Sequence, residues 1–367
     1  MIGLLVAVGA LAGAAAVLLN GEGGDHGRAP HPPAMACAGP LLGVNSVLEL
    51  EGERGRAASI AAIQGLGARV VRLTLRWNWI EPERGELDWS AMDGTLAQLS
   101  AARIEPLLVI VGSPRWASGA PAGEQRPDLY VPPPGPRFSA WLDRYARFVS
   151  AAVERYGDAV RLWEIWNEPN LAKLWRPRPD PSEYRRLYER LRATILSLDP
   201  GAEVAVGGLA GLTVASSPSL PGRAFLRRLA RTHPPLDAVA VHAYATGEHG
   251  PEVHVPGENN FDDVDRVHDE LVREGYRVPI WITEWGWSSV TVGVRRQARY
   301  VRQSLAMIRR GFPFVPVATY FLDRDLPPAF RGGLLTRHLR PKPAARAFRS
   351  RAARIARTCR PSQPEGG

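Results

Sequence analysis

The sequence predicts an α/β protein, a single-domain (β/α)8 TIM barrel, on three observations. Short apolar runs alternate with helical patterns from Pro40 onwards, eight times over ~285 residues, as such a barrel requires. Several runs are almost continuously apolar, as in Leu107-Leu108-Val109-Ile110-Val111 and Ala238-Val239-Ala240-Val241, which suits parallel strands covered on both faces. No Gly-x-Gly-x-x-Gly follows the first run, so the rival doubly wound sheet lacks its dinucleotide-binding turn.

In chain order the strands are expected at Leu41–Val47, Ala68–Trp77, Ile104–Ser113, Val160–Glu168, Ala202–Ala210, Leu236–Tyr244, Pro279–Trp285 and Pro316–Leu322. Helical spacing of apolar residues falls at Trp141–Tyr156, Ser182–Leu198, Gly222–Thr232, Val264–Gly275 and Arg295–Gly311. Pro200, Gly201, Gly275 and Gly311 stand where helices must stop, because proline lacks the N–H and glycine tolerates the reversed backbone.

The chain has 367 residues, 45% hydrophobic and 23% charged, the balance of a globular protein and not of a disordered, collagenous or disulfide-dense one. Net charge is +9; Lys173 and Lys342 are the only lysines, so the other 44 of 46 basic residues are arginines. They are spread along the chain instead of forming one basic block, so nucleic acid is not the expected partner.

Residues 1–20 are read as a signal peptide or membrane anchor, because Ile2 to Leu19 is an uncharged apolar run that at ~1.5 Å per residue just spans a bilayer core. Residues 21–37 are read as a linker rich in Gly, Pro and His, 38–359 as the barrel, and 360–367 as a disordered tail. Either fate of the amino terminus places the protein outside the cytoplasm, in the envelope or beyond. Cys37 precedes the first strand and Cys359 follows the last helix. A closed barrel brings its chain ends together, so a Cys37–Cys359 disulfide would clasp them in an oxidising compartment; two free thiols are the alternative.

Working residues of a barrel sit at the C-terminal ends of its strands. Reading those positions gives Trp77, Ser113, Glu168, Tyr244, Glu284 and Tyr320. Glu168 and Glu284 end strands four and seven, and two carboxyl groups facing each other are the apparatus of glycoside hydrolysis. One must carry a proton for the leaving oxygen and the other must be ionised.

Strand four ends Trp163-Glu164-Ile165-Trp166-Asn167-Glu168-Pro169-Asn170, and strand seven ends Trp281-Ile282-Thr283-Glu284-Trp285-Gly286-Trp287. Asn-Glu-Pro on the one and Thr-Glu-Trp-Gly on the other resemble the retaining clan A glycoside hydrolases. With Pro179-Asp180-Pro181-Ser182-Glu183-Tyr184 downstream, the chain resembles family 39 and its bacterial relatives, with cellulase-like family 5 close behind. Further matching segments are Trp79-Ile80-Glu81-Pro82-Glu83-Arg84-Gly85, Asp88-Trp89, Gly333-Leu334-Leu335 and Pro341-Lys342-Pro343-Ala344.

The resemblance implies that Glu168 is the acid/base and Glu284 the nucleophile of a double displacement on an oligo- or polysaccharide, with β-linked sugars expected. It implies that Asn167 holds the sugar 2-hydroxyl, that Arg72 keeps the nucleophile ionised, and that His242 and Tyr244 line the same subsite. Arg72 is also a natural barrel-interior partner for Glu164. Glu164 is a rival acid, but four residues at ~3.3 Å each put it ~13 Å below Glu168 along the strand. His242 has the alternative of being a satisfied core histidine.

Trp77, Trp79, Trp116, Trp166, Trp285 and Trp287 fall at or beyond strand ends, where a flat indole suits the C–H face of a sugar. About half of them are expected to touch sugar, with Trp77, Trp116, Trp285 and Trp287 as the chosen binding residues. Tyr320 occupies the position where such enzymes usually carry a tryptophan under the reactive sugar. His249, His254 and His268 show no zinc-ligand spacing, so neither metal nor cofactor is expected, and the protein is expected to be a monomer. The loops Ala117–Pro136 and Gly247–Asp263 decide exo against endo action and are not readable by pattern. A carbohydrate-binding barrel without turnover is the alternative, but it has no need of both glutamates.

Overall fold

The computed structural model describes residues 39–356 other than 248, 327 and 329. Eight parallel strands close into one barrel in chain order: β1 (Leu41–Asn45), β2 (Val70–Arg76), β3 (Glu105–Val111), β4 (Leu162–Asn167), β5 (Glu203–Leu209), β6 (Ala238–His242), β7 (Ile280–Glu284) and β8 (Val317–Tyr320). The ring is sealed by β1 on β8, with Leu41 opposite Val317 and Val44 opposite Tyr320. Around it run α1 (Glu53–Gly65), α2 (Ser90–Ala101), α3 (Pro136–Tyr156), α4 (Pro181–Leu198), α5 (Gly222–Ala230), α6 (Asp263–Arg273), α7 (Val294–Gly311) and α8 (Pro343–Ala356). All eight expected strands are present, trimmed at their ends.

Two apolar layers account for the fold. Val70, Leu107, Val109, Leu162, Ala205, Ala238, Ala240, Trp281 and Val317 fill the barrel interior, and a larger core lies between strands and helices. Strand side chains alternate in direction, so Val70 inside the barrel puts Arg72, Thr74 and Arg76 on that same face of β2. The interior is therefore apolar low down and polar towards the C-terminal mouth.

Local chemistry fixes the segment after β4. Trp166 and Glu168 take positive φ, 69° and 48°, and the pairing with β5 skips from Ile165–Val206 to Asn167–Gly208. That kink leaves the Ile165 carbonyl and the Gly207 N–H outside the ladder. Tyr184 of α4 restores both bonds: its hydroxyl donates to Ile165 O at 2.8 Å and accepts from Gly207 N at 2.6 Å. α4 itself starts where it must, because Asp180 accepts from the N–H groups of Ser182 and Glu183 at 2.8 and 3.1 Å and Pro181 occupies the first helical position.

Cys37, Cys359 and the apolar run 2–19 lie outside the described residues. The described ends are adjacent, since a Cβ on Gly39 would sit 3.4 Å from Cγ2 of Ile355. Among the described residues no helix is long and apolar enough to cross a membrane.

Candidate active site

Register brings the polar side chains together. Asn45 of β1 is the pairing partner of Arg72 of β2, and His242 of β6 is the partner of Glu284 of β7. Arg72 is the hub. Its guanidinium has five N–H donors, and five short contacts use them: Nε to Glu164 Oε2 (2.9 Å), Nη2 to Glu164 Oε1 (2.9 Å) and Asn167 Oδ1 (2.9 Å), Nη1 to Asn45 Oδ1 (2.8 Å) and Glu284 Oε1 (2.9 Å), with His242 Nε2 a longer 3.4 Å from Nη2. Arg72 thus pairs with both Glu164 and Glu284. Burial works against its charge, but Glu164 and Glu284 outweigh that and leave its pKa raised.

Glu164 is fully buried, spends both oxygens on Arg72 and also accepts from Gly208 N at 2.7 Å. It is a support and not a rival acid. Glycine is required at 208: a Cβ there would lie 2.1 Å from His242 Nε2 and 2.9 Å from Glu164 Oε1. Asn45 completes the frame by donating to Thr283 O at 2.8 Å.

Glu168 and Glu284 are each 8% exposed. One ligand atom from each, with one from His242, all lie within 4.8 Å of one another. Glu284 accepts from Arg72 on Oε1 and from the Tyr244 hydroxyl on Oε2 at 3.0 Å. Burial together with the Glu284 charge pushes Tyr244 well above its ordinary pKa, so it remains a donor. His242 Nδ1 lies 2.9 Å from Glu168 Oε1, and Nε2 lies 3.5 Å from Glu284 Oε1. His242 therefore spans the two carboxyl groups.

Burial pushes Glu284 up, aided by the Glu168 charge and opposed by His242, Arg72 and Tyr244. Burial also works to raise Glu168, but the hydrogen bond and charge of His242, with Lys173 and Arg72, hold it down. An ionised Glu168 beside a protonated His242 contains the same number of protons as a protonated Glu168 beside a neutral His242. The two forms differ only in which end of a 2.9 Å hydrogen bond holds the proton.

The aromatic expectations need correction. Trp77 is fully buried, stacked on Phe148 at 5.4 Å and edge-on to Trp116 at 5.7 Å; it belongs to the layer behind β2 and offers no face to a sugar. Trp166 is likewise enclosed, donating to Leu174 O at 2.8 Å. Trp285 is buried on Ser304 Oγ (3.2 Å), and Trp287 is 4% exposed with its N–H on His249 O (2.9 Å). Tyr320 is buried too, donating to Gly332 O at 3.0 Å. The half-buried aromatic beyond β8 is Phe321, edge-on to Tyr244 with centroids 6.3 Å apart. Trp116 is half-buried with its N–H on Glu81 O at 3.3 Å, and Trp79 is exposed.

Among the described residues, two groups have ligand atoms close enough for a cation: Glu168, His242 and Glu284, and, after β6, His254, Asp262 and Asp263. Each already contains a fixed positive charge, Arg72 on Glu284 at 2.9 Å and Arg266 against His254 Nε2 at 2.6 Å.

Comparison with known proteins agrees with this geometry. The pattern of Glycosyl hydrolases family 39 matches residues 79–308, more than half the chain. A β-xylosidase from Geobacillus stearothermophilus is 30% identical over 235 residues, 58% of this chain and 45% of that protein; the chain thus spans less than half of that relative. Among solved structures, a family 39 glycoside hydrolase from the gut symbiont Bacteroides cellulosilyticus WH2 superposes with TM-score 0.67 at 22% identity, covering 86% of this chain and 64% of that one. The family 39 enzyme from Xanthomonas axonopodis pv. citri gives 0.64 at 25% identity over 88% and 68%. A monomeric β-xylosidase from Caulobacter crescentus CB15 gives 0.63 at 22% over 88% and 69%. The chain belongs to family 39 of the glycosyl hydrolases.

Proposed function

We propose that the protein is a retaining glycoside hydrolase that cleaves β-linked sugars from an oligo- or polysaccharide. The observation that carries this is the spacing of the two carboxyl groups, with oxygens within 4.8 Å. Retention needs carboxyl groups ~5–5.5 Å apart, whereas inversion needs ~6.5–9.5 Å to admit a water.

In the first step Glu284 attacks the anomeric carbon as the glycosidic bond breaks, and the proton shared by Glu168 and His242 passes to the departing oxygen. A glycosyl ester on Glu284 results. Arg72 and Tyr244 hold Glu284 in the ionised form needed for attack and fix its two oxygens. In the second step Glu168 takes a proton from water, whose oxygen attacks the same carbon, and Glu284 leaves as carboxylate. Asn167, whose Oδ1 accepts from Arg72 at 2.9 Å, meets the sugar hydroxyl beside the reacting carbon in this reading.

Similarity to the Geobacillus β-xylosidase favours a β-xyloside as the first substrate to try. Following a p-nitrophenyl β-xyloside by proton NMR through the first turnovers tests the reading: β-xylose appears first and mutarotates later, whereas α-xylose as first product opposes it.

Export is part of the same proposal, with residues 2–19 as leader or anchor, Cys37 and Cys359 bridged and the enzyme monomeric. The intact mass of the protein from its native host, before and after reduction, tests the first two: export with a cleaved leader predicts loss of the apolar run, and the bridge predicts a gain of two hydrogens. Thiols that alkylate before reduction oppose the bridge.

A further inference from the structure

Arg72 and Lys342 have partners near the mouth, the latter on Asp325 Oδ1 at 2.9 Å. Arg76 and Lys173 do not. Arg76 ends β2 on the face that carries Arg72, four residues and ~13 Å further towards the mouth. Its side chain is half-buried, yet its guanidinium makes no hydrogen bond or ion pair among the described residues. It lies over the ring of Trp79, 4.8 Å from the centroid, and Trp79 is 45% exposed, one of the large apolar side chains left most open to solvent.

The acids whose charge reaches Arg76, Asp128 and Glu49, are poor counter-ions for it. Asp128 is held by both Nε and Nη2 of Arg126, at 2.9 and 2.7 Å. Glu49 has a buried, unpartnered Oε2, and burial pushes its carboxyl up to about 7. Burial lowers Arg76, and the opposing charges of Asp128 and Glu49 do not restore it. Lys173 stands five residues beyond Glu168 in the loop between β4 and α4, half-buried and without a hydrogen bond or ion pair among the described residues. Its charge still reaches Glu168.

A half-buried guanidinium fork beside an open indole is a carboxylate-binding corner with a platform for the sugar ring that bears the carboxylate. In the proposed mechanism Glu168 serves the departing oxygen, and Lys173, in the same loop, is near enough for its charge to reach Glu168. We propose that the protein acts on an acidic glycan, with Arg76 and Trp79 forming a subsite for a uronic acid residue and Lys173 a second anion contact on the leaving-group side. This rests on the hydrolase reading and adds the substrate class to it.

The probes are β-1,4-xylo-oligosaccharides bearing glucuronic acid, and the same compounds after carbodiimide-activated borohydride reduction of the carboxyl to an alcohol. Binding is measured by calorimetry on full-length E284Q, and hydrolysis on the unsubstituted protein. The acidic form is expected to bind at least about tenfold tighter than the reduced one, as loss of a charge-assisted hydrogen bond implies, and salt should erode the difference. Adding R76Q should bring the ratio close to one, and K173Q should lower it. Because both ligands are read on the same preparation, the ratio is insensitive to a change in folded fraction. Equal affinity for the two forms, no binding of the acidic form, or a ratio untouched by R76Q overturns the proposal. A binding preference without hydrolysis leaves this subsite standing and removes the hydrolase reading; hydrolysis without a preference does the reverse.

Discussion

Replacing Glu284 by glutamine is expected to reduce kcat by about 10⁴-fold or more, the scale on which covalent enzymes lose their nucleophile, while the barrel stays folded. Gln is nearly isosteric with Glu, and its amide oxygen still accepts from Arg72 Nη1, 2.9 Å away. What is lost is the negative oxygen that must bond to the anomeric carbon. Glu168→Gln should behave differently. It removes the proton donor, worth about 10²–10⁴-fold, and the loss should shrink for substrates whose leaving group needs no proton. Steady-state kinetics on an alkyl and a dinitrophenyl glycoside separates the two. E284Q turning over within tenfold of the unsubstituted protein removes Glu284 from its role.

Arg72→Met is expected to cost both stability and activity, through different partners. Glu164 is fully buried and would keep only the Gly208 N–H. Leaving one half of a buried ion pair unpaired costs about 3–5 kcal/mol, which denaturant unfolding reads directly. Glu284 would lose the closest charge that opposes its raised pKa. Its working form is the carboxylate, so activity is lost as pH falls through its pKa, and raising that pKa moves the acid limb of the pH–kcat profile upward. Adding Glu164→Gln removes the stranded charge. The double variant should regain part of the stability and none of the acid-limb shift. Recovery of both together would mean that Arg72 acts on Glu284 only by holding the fold.

The strands and the facing pair of carboxyl groups are more legible in the sequence than the aromatic surroundings, for identifiable reasons. Continuous apolar runs mark parallel strands whichever way each side chain points, so all eight strands were readable. Glu168 and Glu284 were readable because they end two of those runs inside distinctive flanks. Arg72 followed from the resemblance of its segment to the family's strand-two arginine. Facing direction was harder. Positive φ at Trp166 and Glu168 breaks the alternation just where β4 ends, so counting along the strand misplaces Trp166.

Trp77, Trp285, Trp287 and Tyr320 also stand at or just past strand ends, yet they fill the space between barrel and helices. A large apolar ring satisfies that need as readily as it satisfies a sugar. Phe321, one residue beyond Tyr320, carries no signal apart from its position. α3 begins at Pro136, five residues before the expected Trp141, because Gly135-Pro136 reads as a break although proline is well suited to a first helical position. Arg76 and Lys173 were invisible as a pair, since a missing counter-ion is a property of folded neighbours and not of composition.

A covalent bond from the Glu284 carboxylate to sugar is tested most directly by trapping it. Incubation with a 2-deoxy-2-fluoro glycoside bearing a dinitrophenyl leaving group slows the second step more than the first. Peptide mass spectrometry should then find one fluorosugar on the peptide that contains Glu284. A label on another carboxylate, or complete turnover through an inverted product with no label, contradicts the account.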